Sequence, residues 1–366
     1  MNTLLVTSTH ESTGKTAVTL ALGLLAKERG QSVGYMKPKG TRLQSNVGKT
    51  LDQDPMLARE LFETDAEMHQ MEPIVYSPTF VEGAIRGREQ TDELREQVKS
   101  NFDDLAVDRD LMLVEGGGKL STGGIVGLTD PQVAELLDAQ VVLVADYSQP
   151  GDVDEVLAAA DDIGDRLAGV LFNRVADTNY DELETDVVPF LERQGVPVLG
   201  VLPRVQELAG ITVEGLASEL GAEVVTDAPT DAFVERFLVG AMGGDEALRY
   251  FRRTKDAAVI TGGDRSEIHT AALEAPGVKC LILTGGHRPP GAVIGKAEQK
   301  GIPVLLVNSD TLSAIERAED LVRGGRTRDE RTVEIMRDLL FDHTDVDALI
   351  GAEDAGAGSV EDGDEE

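Results

Sequence analysis

The fold is decided near the start of the chain, in Thr3-Leu4-Leu5-Val6-Thr7-Ser8-Thr9-His10-Glu11-Ser12-Thr13-Gly14-Lys15-Thr16-Ala17-Val18. An apolar run over 3–8 leads into a polar loop over 9–16, and a helical pattern follows from Ala17 to Arg29. A strand, a polar loop ending in Gly-Lys-Thr, and a helix together make the context of a phosphate-binding loop. Backbone N–H groups of such a loop and of the helix start point at phosphate oxygens. Thr9, Thr13 and Gly14 would line the cradle. Lys15 would neutralise phosphate charge, and Thr16 would offer its hydroxyl to Mg²⁺. Thr9 stands where the usual pattern has its first glycine.

Outward from the loop, short apolar runs alternate with longer amphipathic segments. The runs are SVGYMKP (32–38), DLMLVEG (110–116), QVVLVADY (140–147), LAGVLFNR (167–174) and VPVLGVLPR (196–204). Continuous Val/Ile/Leu runs separated by helices predict a parallel sheet covered on both faces. The fold class is therefore α/β: a P-loop parallel sheet with helices on both faces over 1–208, then a smaller α/β domain over 209–326. A C-terminal helix is expected within 327–351. The acidic tail 352–366, rich in Gly, Ala, Asp and Glu, is expected to be disordered.

Within the second domain, residues 230–255 read as helix-rich, with Gly243-Gly244 as a break. Two strands then end in nearly the same turn. AAVIT is followed by Gly262-Gly263-Asp264-Arg265, and KCLILT by Gly285-Gly286-His287-Arg288. This echo marks two equivalent strand-to-helix turns and a second candidate ligand site. Ordinary turn chemistry accounts for the same residues: Gly for positive φ, Asp as a helix cap, Arg in solvent.

Other chemistry in the first domain falls at strand ends, where open α/β sheets bind ligands. Glu115 follows LMLV, and Gly116 and Gly117 would let backbone approach phosphate. Asp54 opens a helix in DQDPMLA. Thr16, Asp54 and Glu115 make an oxygen set suited to Mg²⁺. Lys37, at the end of YMK, could stabilise charge developing in phosphoryl transfer, with Lys15 beside it. Asn173, in VLFNR, carries an amide suited to a base edge.

These residues together resemble the dethiobiotin synthetase-like branch of P-loop proteins, whose loop reads G-T-x-T-x-V-G-K-T. The match continues in Gly34-Tyr35-Met36-Lys37-Pro38 against G-Y-K-P, in Val114 to Gly118 against V-E-G-x-G, and in Asn173. The resemblance implies ATP and Mg²⁺ as cofactors and a base-recognising Asn173. It also implies Lys15 and Thr16 on phosphates and metal, Asp54 and Glu115 on Mg²⁺, and Lys37 near the transferred phosphoryl group. Ser8, Ser12 and Lys119 depart from the family pattern, the last two on its metal and substrate side. The stretch from Val239 to Pro290 is similar to a DRTGG domain. The two modules in this order resemble the N-terminal regulatory part of long phosphotransacetylases. That likeness implies a nucleotide-binding regulator or sensor tied to acetyl-CoA and acetate metabolism, with an enzyme of that metabolism as partner. Acetyl transfer itself is not expected of these residues. The alternative is an ATP-dependent ligase that activates a small carboxylate or carbamate. Pairing into a homo-oligomer is implied by the P-loop branch.

Composition narrows the classes further. The chain has 366 residues, 41% hydrophobic, enough for two or three domains at about 150 residues each. The net charge of −33 argues against nucleic acid or an anionic membrane as partner, since both select basic surface. Only 11 of the 34 basic residues are Lys, and seven acids in the tail cannot account for the charge. A protein adapted to high salt, where screening relieves self-repulsion, fits that balance. One cysteine, Cys280, permits no disulfide within the chain, and it lies in an apolar run that reads as core. No apolar run reaches the ~20 residues of a membrane helix, and no signal-peptide pattern opens the chain. A cytoplasmic location and a small-molecule ligand are the resulting expectations.

Overall fold

A computed structural model describes residues 1–41, 43–46, 49–323 and 330–351. The expected disordered tail at 352–366, and the opening residues 327–329 of the C-terminal segment, lie outside them. The described residues form two compact units, Met1–Arg204 together with those from 330 on, and 205–323.

The first unit holds a six-stranded sheet of β1 (Asn2–Ser8), β2 (Val33–Met36), β3 (Leu111–Glu115), β4 (Gln140–Ala145), β5 (Leu167–Val175) and β6 (Val198–Pro203). Their order is β6-β5-β4-β1-β3-β2, and every pairing is parallel. The apolar runs are continuous because both sheet faces are covered: β3 is buried at all five positions, and β1 from Thr3 onward. A parallel sheet brings every strand's C-terminal end to one edge. With β1 in the middle, that edge has its switch of strand order beside the phosphate loop.

Helix α1 (Lys15–Glu28) leaves that edge and buries Leu20, Leu22 and Leu25 among its neighbours. Each such leucine contributes about 1.5–3 kcal/mol by leaving water. Two more helices bring site residues to the edge, α2 (Gln53–Phe62) and α3 (Asp130–Leu137). The C-terminal helix, Glu330–His343, packs along α1 in this unit. Arg337 pairs with Glu28 at 3.0 Å, Thr344 bridges to Gly200, and the Leu349 carbonyl accepts from Asn2 at 3.3 Å. Buried Val333, Met336 and Leu340 explain the return, for they need an apolar partner face.

The second unit holds a five-stranded sheet of β7 (Glu223–Val224), β8 (Arg236–Val239), β9 (Ala257–Gly262), β10 (Val278–Thr284) and β11 (Val304–Leu306). Their order is β7-β11-β10-β9-β8, parallel except for β7 on the edge. Alternate residues face two cores. Val259, Leu281 and Leu283 meet helices Gly244–Phe251, Ser266–Leu273 and Gly291–Lys300. Ile260, Cys280 and Ile282 meet helices Val213–Leu220 and Thr311–Arg323. Cys280 is thus core, and burial pushes its thiol pKa up, which makes it inert.

One expectation fails here. Residues 230–255 are not mainly helical: Phe233–Val234 and β8 are strands, and only Gly244–Phe251 forms a helix of more than one turn. The run Phe237-Leu238-Val239 is too short for a helix face and finds a ladder partner in β9 instead.

Candidate phosphate-binding site

The site is built where β1, β3 and β5 end. Gly14 caps α1 with φ of +96°, in the left-handed region open to glycine. Lys15 follows, buried, and its ammonium donates to Ser8 Oγ at 2.8 Å and to the Gly118 carbonyl. Gly116 and Gly117 carry the chain from Glu115 to that carbonyl, and the Gly116 N–H donates to the Val6 carbonyl at 2.9 Å. Thr9 sits half-buried at the lip, its hydroxyl 3.2 Å from His10 Nδ1. Thr13 is buried, and its Oγ1 has no hydrogen-bond partner among the described residues. A buried hydroxyl without a partner is costly, by about 1–3 kcal/mol, unless something fills its bonding capacity. A phosphate oxygen at the loop would do so.

The acidic half lies alongside. Thr16 Oγ1 donates to Glu115 Oε1 at 2.7 Å, and Tyr35 donates its hydroxyl to Glu115 Oε2 at 2.8 Å. The Lys37 ammonium lies 2.7 Å from Asp52 Oδ2, contacts Asp54 Oδ2, and stands 3.7 Å from Glu115 Oε1. All four charged groups are buried. Burial works against the Lys37 charge, but Asp54, Glu115 and Asp52 outweigh it and raise the lysine's pKa. Burial, with the charge of Asp54 added, pushes Glu115 up to about 7, against the pull of Lys37, Thr16 and Tyr35. Burial likewise raises Asp52.

Thr16, Asp54 and Glu115 are thus brought together, as an oxygen-only set whose chemistry suits Mg²⁺. Among the described residues no three acidic, His or Cys side chains stand at metal-holding geometry. The reason is visible: the Lys37 ammonium sits among the carboxylates and is their counter-ion. Asn173 stands elsewhere at the same edge, donating from Nδ2 to the Thr13 carbonyl at 2.8 Å while its Oδ1 accepts from the Arg174 N–H at 2.9 Å.

Several members escaped sequence reasoning. Tyr35 and Lys39 alternate with the expected Lys37 along one extended stretch, and all three are buried, a period-2 signal that could have grouped them. Lys39 donates to Asp130 Oδ1 at 2.9 Å and to the carbonyls of Thr122, at 2.8 Å, and Leu128. Asp130 also accepts from Thr7 at 2.5 Å. This second buried pair clamps the segment after Gly118. Its sequence trace was Thr129-Asp130-Pro131, a helix-start signature. Asp52 is the first Asp of DQD and caps α2 through the Asp54 N–H at 3.0 Å. Glu72 accepts from the Asp52 N–H at 3.1 Å, and burial pushes its pKa up to about 7.

The paired turns of the second unit do meet. The Gly263 N–H donates to the Thr284 carbonyl at 3.1 Å. Their polar groups are largely committed, however. The Gly285 and Gly286 N–H groups donate to Ser309 and Val307 carbonyls at 2.9 and 3.0 Å. The Arg265 guanidinium holds the Gly240 and Met242 carbonyls at 2.6 and 3.0 Å. Arg288 pairs with Glu223 in solvent, and the Gly262 carbonyl accepts from His269 at 2.9 Å. Asp264 and His287 are exposed.

Residues 2–212 match the AAA domain family, and residues 215–321 match the DRTGG domain family. The phosphate acetyltransferase of Pseudomonas putida is 25% identical over 367 aligned positions, covering 94% of this chain and 51% of that one. The ATP-dependent dethiobiotin synthetase BioD of Bacillus subtilis is 24% identical over 220 positions, covering 58% of this chain and 91% of that one. The chain thus spans about half the length of the acetyltransferase it matches. Among solved structures, a ParA family ATPase from Chlorobium tepidum is 16% identical with a TM-score of 0.36, covering 57% of this chain and 86% of that one. The CBS and DRTGG domains of a Clostridium perfringens pyrophosphatase are 20% identical with a TM-score of 0.28, covering 42% and 80%. No described helix is long and apolar enough to cross a membrane.

Proposed function

We infer the function from one premise: the chain belongs to the AAA domain family, with a DRTGG domain after it. It is a regulatory protein that binds ATP with Mg²⁺ and serves acetyl-CoA and acetate metabolism. The observation that carries this is the loop itself: Lys15 buried at its base, Thr13 Oγ1 unpartnered, and the Thr16 hydroxyl 2.7 Å from Glu115. That arrangement suits the negative charge of a triphosphate and the oxygen-loving cation that accompanies it. Thr16, Glu115 and Asp54 would hold the cation, whose chemistry there is to neutralise phosphate charge. Lys37 would stand near a transferred phosphoryl group. The DRTGG unit would sense a small molecule or pair two copies, and an enzyme acting on acetyl-CoA or acetate would be the partner.

Buried Lys37 within the same carboxylate cluster also supports a second reading, an ATP-dependent ligase that activates a small carboxylate or carbamate. Calorimetry of ATP with Mg²⁺ in molar KCl, on wild type and Lys15→Ala, separates the two when phosphate release is followed on the same samples. Lys15-dependent binding without turnover supports the regulator. Turnover that rises with one added carboxylate supports the ligase. Absence of ATP binding by wild type would sink both.

A further inference from the structure

We propose that the Lys37 ammonium fills the place of the divalent cation while no nucleotide is bound, so that Lys37 decides when the ion enters: with the phosphates and not before them. The inference rests on the nucleotide-binding reading above and deepens it at the same site.

Two cations have a claim on the same oxygens. An ammonium carries three N–H donors, and three carboxylates surround Lys37 Nζ. Asp52 Oδ2 stands at 2.7 Å, Asp54 Oδ2 is in contact, and Glu115 Oε1 lies at 3.7 Å. Asp54 and Glu115 are also the carboxylates of the proposed Mg²⁺ set. Glu115 Oε1 is the very oxygen that the Thr16 hydroxyl, the third member, bonds at 2.7 Å. Mg²⁺ is held by oxygens at about 2.0–2.1 Å. An ion bound that closely to Asp54 and Glu115 meets a like charge on the ammonium already seated there. The residues are all buried, so water does little to screen the repulsion. One of the two cations must withdraw.

Asp52 gives the lysine somewhere to withdraw to. It is no member of the Mg²⁺ set, and it is fixed: its Oδ1 accepts the Asp54 N–H at 3.0 Å, and its own N–H donates to Glu72 Oε2 at 3.1 Å. The Lys37 backbone is fixed as well, through its N–H on the Met71 carbonyl at 2.8 Å. The ammonium can therefore leave Asp54 and Glu115 by side-chain torsions alone and remain on Asp52. Without phosphate nothing draws it away from its carboxylates. A phosphate chain in the loop offers an anion to the lysine and further oxygens to the ion.

Mn²⁺ serves as the probe, since the same oxygen set accepts it. Electron paramagnetic resonance reads the free ion in molar KCl without nucleotide. The proteins are wild type, Glu115→Gln, Lys37→Met and the double variant Lys37→Met/Glu115→Gln. Loose binding to surface acids is common to all four and cancels. Lys37→Met should gain one Mn²⁺ site, about tenfold or more tighter than any in wild type, and the double variant should lose it. Mn²⁺ should also raise the Tm of Lys37→Met more than that of the other three. Once ATP is added, the bound ion should depend on Glu115 in wild type too.

A Glu115-dependent site in wild type without ATP, as tight as that of Lys37→Met, would overturn the proposal, because ion and lysine would then sit together. So would a folded Lys37→Met that gains no site, or an ATP-bound ion indifferent to Glu115. Should Lys37→Met fold only when Mn²⁺ is present, the ion has taken over the lysine's charge, which supports the proposal. Should it not fold even then, Lys37→Gln, which keeps donors for Asp52 and Asp54, is read in its place. Failure of both to fold with Mn²⁺ would count against the proposal, since the ion could not stand in for the ammonium. If wild type binds no ATP in a Lys15-dependent way, the nucleotide reading itself has failed, an outcome distinct from the others.

Discussion

Both units are parallel α/β sheets with glycine turns at the C-terminal edge, yet they treat charge at that edge in opposite ways. In the first unit Lys15, Lys37, Asp52, Asp54 and Glu115 are buried there, and Lys39 and Asp130 lie close by. In the second unit Arg265 and the glycine amides are spent on backbone carbonyls, and Arg288, Asp264 and His287 face solvent. Burying an ion pair is rarely worth more to stability than packing apolar groups of the same volume. A parallel sheet edge closes without such charges, as the second unit demonstrates. The first edge is therefore organised around something besides folding, and the second mainly around its own closure.

The sharpest break of this comparison is Lys15→Ala. It should weaken triphosphate binding about a hundredfold or more, since charge-assisted bonds to phosphate are lost. Calorimetry reads that loss, and an unaltered Kd would remove the phosphate loop from the functional side of the contrast. Lys37→Met comes next and acts on stability. It leaves Asp52, Asp54 and Glu115 buried without their cation, a loss of about 3–5 kcal/mol. Urea melts should show it as a lower midpoint with an unchanged slope.

In the second unit the matching probe is Gly263→Ala. A Cβ there would meet the His287 carbonyl, where the two turns touch. The expected loss is about 1–3 kcal/mol, with ATP binding unchanged. A changed ATP affinity would show that the two edges are coupled and that the second is more than a closure.

The same contrast explains what could be read from residues alone. Glu115 stands at the end of an apolar run, and Lys15 and Thr16 open the helix after the loop that leaves another, so strand order delivers all three to one edge. Tyr35 and Asp52 reach Glu115 and Lys37 through strand pairing and a helix cap, neither of which follows from spacing along the chain. Asp130 is further hidden, because its partners Thr7 and Lys39 lie 123 and 91 residues away. In the second unit the repeated turn was legible, but its hydrogen bonding was not. Whether the Gly285 and Gly286 amides can face a ligand is decided by Val307 and Ser309, which follow a different strand. The helical expectation over 230–255 failed for a related reason. A four-residue strand such as β8 exists only through the ladder that β9 offers it.

The smallest predicted effect concerns His269, the one buried imidazole among the described residues. Its Nε2 donates to the Gly262 carbonyl at 2.9 Å, which fixes the neutral tautomer, and Nδ1 has no partner. Acid would place a proton on Nδ1 with no acceptor to receive it. Burial accordingly lowers its pKa from the usual 6.5, opposed by the Gly262 bond and by Asp264. The unfolded chain then binds more protons than the folded one just below that value, so stability rises with pH there. The second unit should lose stability as pH falls from about 6.5, by no more than one proton's linkage. His269→Gln keeps a donor for Gly262 and cannot titrate, so its Tm should flatten over that window relative to wild type. An equally steep fall in the variant would show that His269 is not its source. The carboxylates of the first unit pull the other way, since raised carboxyl pKa values favour the folded state as pH falls toward the ordinary carboxylate range. The sign of the Tm change thus tells which of the two edges governs the response to acid.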